Sequence, residues 1–199
     1  MNTPHAHTPS ALASIDRREF VARLLAATPD ALVISGLGSP TYDVYASGDQ
    51  DRYFYLWGAM GGALPLGLGL ALAQPKRPVL VITGDGDMLM SLGSLATVAA
   101  QQPDNFAICV LDNEKFGETG NQATHTSPRN NGPTDSGAGT DLSVIARGCG
   151  IADSALVRDQ GEVAQLVKDL RHKKGPLFRV VKVRVEKLDF VMQIGRAHV

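Results

Sequence analysis

The sequence predicts an α/β fold: a single open, mostly parallel sheet with helices on both faces. Three observations carry this. Short apolar runs alternate with helical segments along the whole chain, the order that builds parallel βαβ units. Two of those runs, Pro78–Thr83 and Phe106–Leu111, are continuously apolar, as in strands covered on both faces. The 199 residues, 44% of them hydrophobic, suffice for one domain with a sizeable core and no second one.

Taken in order, Asp16 followed three residues later by Glu19 forms a capping-box pattern, opening a helix that runs to about Ala27. Ala31–Ile34 is a short strand ending in the turn Ser35-Gly36-Leu37-Gly38-Ser39-Pro40. Tyr53–Trp57 is a second short strand. A helix then spans about Gly62–Ala73, with Pro65 tolerable in its first turn. Leu56–Ala73 carries no charge and is long enough to test as a membrane span. Its five glycines and Pro65, leading into a strand, favour a buried helix instead. Strand Pro78–Thr83, helix Ser91–Gln102 and strand Phe106–Leu111 follow. Glu118–Asp141, rich in Gly, Pro, Ser, Thr and Asn, is expected as a long loop. Asp141 caps a helix to about Cys149. A strand at Ala155–Val157, an amphipathic helix at Gly161–His172 and a strand at Leu177–Val185 complete the domain.

Residues 1–14, including His5 and His7, are expected as a disordered tail, 15–187 as the domain, and 188–199 as a tail outside it. Ile194–Val199 match the in-frame translation of a common sequencing adapter and are expected not to be native. The N-terminus has no apolar stretch behind a basic start, so a secretory signal is not expected and the cytoplasm is the expected compartment. A formal net charge of −1 gives no electrostatic reason to expect nucleic acid or an anionic membrane as partner. Two cysteines, Cys109 and Cys149, are too few for a disulfide framework, a zinc site or an iron–sulfur cluster; Cys109, in an apolar run, is expected as a buried thiol.

In open parallel sheets ligands gather beyond the carboxyl ends of the strands. After the strand at 78–83 comes Gly84-Asp85-Gly86-Asp87-Met88. The glycines let the backbone approach a ligand closely, and amides entering a helix can donate to a phosphate. Asp85 would repel that phosphate unless a cation intervened, and Mg²⁺ commonly bridges a carboxylate and phosphates. A second oxygen donor is expected at the end of the neighbouring strand. There Asp112-Asn113-Glu114-Lys115-Phe116-Gly117 offers Asn113, with 26 residues between it and Gly86.

Gly-Asp-Gly followed at this spacing by Asn resembles the signature of thiamine diphosphate enzymes. Gly58-Ala59-Met60-Gly61-Gly62-Ala63-Leu64-Pro65 is similar to their segment that holds the aminopyrimidine ring, and the resemblance extends from about Ser35 to Val183. It implies the thiamine diphosphate-binding fold and the diphosphate-binding domain of such an enzyme. Asp85 and Asn113 would be side-chain ligands of Mg²⁺, with the Lys115 carbonyl as a third. Gly84, Gly86, Asp87 and Met88 would lie along the diphosphate, with Phe116 and Gly117 beside it. The Gly58 carbonyl would accept from the cofactor's amino group, next to Ala59, and Met60 would be the wedge beneath the bent cofactor. Met60 as plain core and Asp87 as a helix cap stay open.

The family also needs a glutamate from a pyrimidine-binding domain, for which this chain has no room. The run Phe116-Gly117-Glu118-Thr119-Gly120-Asn121-Gln122 resembles the small subunits of sulfopyruvate and phosphonopyruvate decarboxylases. The resemblance thus implies a partner subunit carrying the glutamate, an assembly such as α₂β₂, and a small 2-oxo acid substrate. His125, flanked by Thr124 and Thr126, is the candidate catalytic proton donor, with an exposed loop histidine as the alternative. Arg129 is a candidate contact for an anionic substrate. Open beside this are a 2-oxoacid:ferredoxin oxidoreductase β subunit, an acetolactate synthase or transketolase type of half, and a non-catalytic cofactor-binding subunit.

Overall fold

The structure is a computed structural model that describes residues 15–128, 139–186, 188–189 and 191. The expected N-terminal tail, Arg129 and the adapter-like Ile194–Val199 lie outside the described residues.

Helix α1 (Arg17–Ala27) starts where the sequence places it, because the Asp16 carboxylate accepts from the Glu19 amide at 2.7 Å. Strand β1 (Leu32–Ser35) leads into α2 (Ser39–Ala46), a helix the sequence reading did not anticipate. Its residues, SPTYDVYA, have modest helix propensity; Pro40 in the first turn and burial of Thr41, Tyr42, Asp43 and Val44 override that weakness. Strand β2 (Tyr53–Tyr55) and helix α3 (Ala63–Ala73) follow. Helix α3 presses so closely on the sheet that a Cβ on Gly67 would stand 2.2 Å from the Val81 side chain. Among the described residues no helix is long and apolar enough to cross a membrane.

Strand β3 (Val79–Gly84) passes directly into α4 (Asp85–Met90), which breaks at Ser91 before α5 (Leu92–Gln101). The helix therefore opens at Asp85, six residues earlier than expected. Strand β4 (Phe106–Asp112) is followed by a two-residue strand β5 (Lys115–Phe116), a 3₁₀ turn (Gly117–Thr119) and β6 (Gln122–Ala123), antiparallel to β5. The expected long loop thus starts as a small hairpin. Helix α6 (Leu142–Gly148), strand β7 (Asp153–Val157), helix α7 (Gln160–His172) and strand β8 (Leu177–Lys182) close the fold.

The main sheet has six strands in the order β2-β1-β3-β4-β8-β7, all parallel. Side chains alternate across it, as the pleat requires. Val79, Val81, Phe106, Ile108, Val110, Phe178 and Val180 pack under α3, α4, α5 and α6. Leu80, Ile82, Cys109, Leu111 and Val181 pack under α1, α2 and α7. Cys109 is the buried thiol expected, pushed up to about 12 by burial against the pull of Arg179. From β1 the chain moves outward to β2, then returns to the other side of β1 as β3. The carboxyl ends of β1 and β3 therefore flank the crevice where ligands of such sheets collect.

Candidate functional site

A cleft opens at that crevice. Its walls come from the β1–α2 turn (Leu37–Pro40), the β3–α4 junction (Gly84–Asp87), the end of β4 and the hairpin after it (Leu111, Asn113, Lys115–Thr119), with Met60 and Arg17 completing them. The parallel register aligns these ends: Gly84 pairs with Leu111 across β3 and β4.

Asp85 is the first residue of α4 and 2% exposed. Gly84, the N-cap, offers no side chain to the amides of the first turn, a position that favours an anion, while the Asp85 amide donates to its own carboxylate. Gly86 lies beneath the Phe116 ring; a Cβ there would stand 2.5 Å from a ring carbon. Asp87 is buried, its carboxylate accepting from the Gly61 amide and the Thr83 hydroxyl. It ties the segment carrying Met60 to the β3–α4 junction. Met88 is fully buried under the sheet, and its side chain belongs to the core.

Asn113, Lys115, Phe116 and Gly117 all line the cleft. The Asn113 side-chain oxygen accepts from the Lys115 amide at 3.0 Å, and Glu114 between them has a positive φ of 62°. This tight turn leaves the second lone pair of the Asn113 oxygen for another partner. Glu118 lines the same wall, its carboxyl raised by burial against the opposing pull of Arg17.

Not every expected residue comes together here. Met60 reaches the cleft, whereas Gly58 and Ala59 are exposed and lie outside its lining. The Ala59 carbonyl accepts instead from the Gly62 amide, at 3.0 Å. His125 is exposed and does not line the cleft: it sits in a turn just beyond β6, closed by the Ser127 amide on the Thr124 carbonyl at 3.2 Å, while the neighbours on either side are buried. Thr124 and Thr126 are 2% and 3% exposed, and both hydroxyls reach Asp85 Oδ2, at 2.5 and 3.0 Å. Thr126 also meets Asp112 Oδ1 at 2.8 Å, and Lys182 pairs with the other oxygen of Asp112 at 2.8 Å.

Sequence reasoning did not assign Arg17, the Leu37–Pro40 turn or Lys182 to this region. The turn was visible as a strand's carboxyl end. Arg17 and Lys182 carried no local signal, since only the folded sheet brings them near.

Asp85 is the electrostatic centre of the cleft. Burial first, and then the charge of Asp112, push its carboxyl up to about 6, against the bonds from Thr124 and Thr126. Among the described residues no basic side chain pairs with it. A buried carboxylate held by two hydroxyls and its own backbone amide, with no cationic side chain beside it, suits a cation with hard oxygen ligands. Among the described residues no group of three or more His, Cys, Asp or Glu could hold a metal. A cation here would draw on Asp85, amide and backbone oxygens, and oxygens of a ligand.

The family profile described as thiamine pyrophosphate enzyme, C-terminal TPP binding domain, matches residues 38–181, which include all of the cleft lining but Arg17 and Leu37. The chain belongs to the thiamine pyrophosphate enzymes. It is 37% identical over 175 residues to sulfopyruvate decarboxylase subunit beta of Methanothermobacter thermautotrophicus, covering 88% of this chain and 85% of that one. It is 43% identical over 147 residues to phosphonopyruvate decarboxylase of Streptomyces hygroscopicus, covering 73% of this chain but 34% of the relative. The chain therefore spans about a third of that relative's length and most of the beta subunit's. A solved 2-oxoglutarate:ferredoxin oxidoreductase from Magnetococcus marinus superposes with a TM-score of 0.68 over 94% of this chain and 69% of that one, at 18% identity, which shows the shared fold alone.

Proposed function

We propose that this chain is the diphosphate-binding subunit of a thiamine diphosphate- and Mg²⁺-dependent 2-oxo acid decarboxylase of the sulfopyruvate or phosphonopyruvate type. A second subunit would complete it with the pyrimidine-binding domain and its activating glutamate, in an assembly such as α₂β₂. The observation that carries the reading is Asp85: a buried carboxylate without a basic partner among the described residues, facing a cleft at the sheet's switch point. The named relatives support the reaction class, and the beta-subunit relative supports a division of labour between two chains.

Asp85, Asn113 and the Lys115 carbonyl would hold the cation, and amides at the start of α4 would meet the diphosphate. Met60, beside Gly86, would support the middle of the cofactor. Bound there, thiamine diphosphate supplies a carbon nucleophile and an electron sink that let a 2-oxo acid lose carbon dioxide. The chain's own work is to bind, orient and exclude water. Phe116 covers Gly86 and keeps the floor of the cleft dry, which strengthens the pull of the amides and the cation on phosphate. His125, exposed in the turn after β6, could reach a substrate only if it entered from the mouth.

The test is co-purification of the chain with a companion carrying a pyrimidine-binding domain, followed by measurement of carbon dioxide release from sulfopyruvate and phosphonopyruvate. Release should require both Mg²⁺ and thiamine diphosphate. Full activity of this chain by itself would sink the two-subunit reading.

A further inference from the structure

Asp85 and Asp112 end neighbouring parts of the sheet, and burial gives both carboxylates a reason to be costly. Their charges are handled differently. Lys182 meets Asp112 Oδ2 at 2.8 Å and Glu114 at 2.7 Å, so the far carboxylate has its own counter-ion. Between the two carboxylates stand two hydroxyls. Thr124 lies 2.5 Å from Asp85 Oδ2, Thr126 lies 3.0 Å from the same oxygen and 2.8 Å from Asp112 Oδ1, and the two hydroxyls are 2.9 Å apart. Each hydroxyl has one proton to give. Two protons are thus shared among the facing oxygens of two carboxylates, and both contacts to Asp85 fall on Oδ2.

The backbone that carries these hydroxyls is pinned. The Thr124 amide donates to the Glu114 carbonyl at 3.0 Å, and the His125 carbonyl accepts from the Thr140 amide at 2.7 Å. Threonine is suited to the task because its branched Cβ restricts χ1, so the hydroxyl has few other directions to take.

We infer that Thr124 and Thr126 are positioning residues for Asp85: by gripping Oδ2 they turn Oδ1 and one negative charge toward the cleft, where a divalent cation would bind. The assignment rests on the cation reading of Asp85 given above. It also explains the alternation Thr-His-Thr, in which the two hydroxyls face inward and the imidazole outward.

The experiment uses the full chain assembled with its companion subunit, with Mg²⁺ titrated calorimetrically at saturating thiamine diphosphate. Thr124→Val and Thr126→Val remove the hydroxyl with little change of shape. Each should weaken Mg²⁺ about tenfold, and the double variant toward a hundredfold, the range typical of residues that orient a ligand. Thr124→Ser and Thr126→Ser keep the hydroxyl and should restore binding to within about twofold of wild type by the same reasoning. A purely structural role would lower thermal stability yet leave cation choice alone. The preference for Mg²⁺ over Ca²⁺ is therefore the second readout, and it should shrink in the valine variants because Mg²⁺ demands the stricter geometry. Alanine variants serve if a valine variant fails to fold. Wild-type Mg²⁺ affinity and selectivity in the double variant would overturn the assignment while leaving the cation reading intact. Absence of Mg²⁺-dependent cofactor binding in the wild type would overturn both.

Discussion

Two buried acidic groups, at opposite ends of the sheet, are treated in opposite ways. Near the amino ends of β7 and β8, Asp169 accepts from Arg179 at 2.9 Å, Lys173 at 3.1 Å and Gln165 at 2.8 Å, and Arg179 also holds Asp153 at 2.6 Å. At the carboxyl ends, Asp85 meets two hydroxyls and its own backbone amide, and among the described residues no cationic side chain. Asp43, also buried, is gripped by Arg17 and by Arg18. The protein thus supplies counter-ions to buried acids where they only hold the fold, and withholds one where the acid lines a cleft. A missing counter-ion is more informative about function than the presence of another ion pair.

The comparison breaks most sharply at Asp85 itself. Asp85→Ala should abolish Mg²⁺-dependent cofactor binding, by more than the roughly hundredfold that changes in supporting residues reach. Circular dichroism should show the fold retained. Retained Mg²⁺-dependent binding in calorimetry would remove Asp85 from the site.

At the other pole, Arg179→Met leaves Asp169 and Asp153 without their buried partner and should cost about 3–5 kcal/mol in urea unfolding. Affinity for cofactor and cation in the folded variant should stay at the wild-type value. A loss of affinity without a loss of stability would show that the two regions are not separate in role.

The pH dependence of the metal-free chain sharpens the contrast, because the two carboxylates titrate with opposite sign. Asp85 is raised, so its contribution to stability is present below the ordinary carboxylate range and is lost as pH climbs through about 6. The shift from 3.8 corresponds to about 3 kcal/mol. Asp169 is lowered: burial opposes the shift, but bonds from Gln165, Arg179 and Lys173 outweigh it. Its contribution is present above the ordinary range and lost as pH falls through its lowered value. Chemical denaturation between pH 4 and pH 7 should therefore show Asp85→Asn gaining on wild type as pH rises, and added Mg²⁺ should remove that gain. Parallel curves for the two proteins would refute the raised carboxyl.

The smallest effect is expected at His125. His125→Ala should change cofactor and cation affinity by less than about twofold, since exposed surface changes are usually worth under 0.5 kcal/mol. A larger loss of binding would mean that the imidazole turns inward when ligand arrives.

Much of this was legible in the chain itself. Continuous apolar runs gave the central strands β3 and β4 almost to the residue, because strands covered on both faces need no alternation to be found. That Gly84-Asp85-Gly86 and Asn113 would meet at one cleft was legible because both follow the carboxyl end of a strand in a parallel sheet. Helix α2 was not, since it is held by burial of Val44 in the cluster with α1 and the sheet and by Tyr42 against the Trp57 ring, contacts that only the fold creates. The roles of Thr124 and Thr126 were hidden for a related reason. A hydroxyl gains meaning only when the fold sets it 39 or 41 positions away from its acceptor, and two threonines in a polar stretch look like any others. The histidine between them drew attention by its chemistry, but the turn at 124–127 leaves it exposed.

The pairing of Gly84 with Leu111 has a wider consequence. Asp85 and Asn113 have no hinge of their own; each is the residue immediately after a strand deep in the core. Their separation is inherited from the ladder, and a slip of one residue would displace Asp85 by about 3.3 Å and turn it to the other face. Affinity for ligand is therefore an elastic property of the sheet. A repacking substitution at Val81 or Ile108, buried and remote from any ligand atom, would be felt first as a change in how well the cleft fits what it holds.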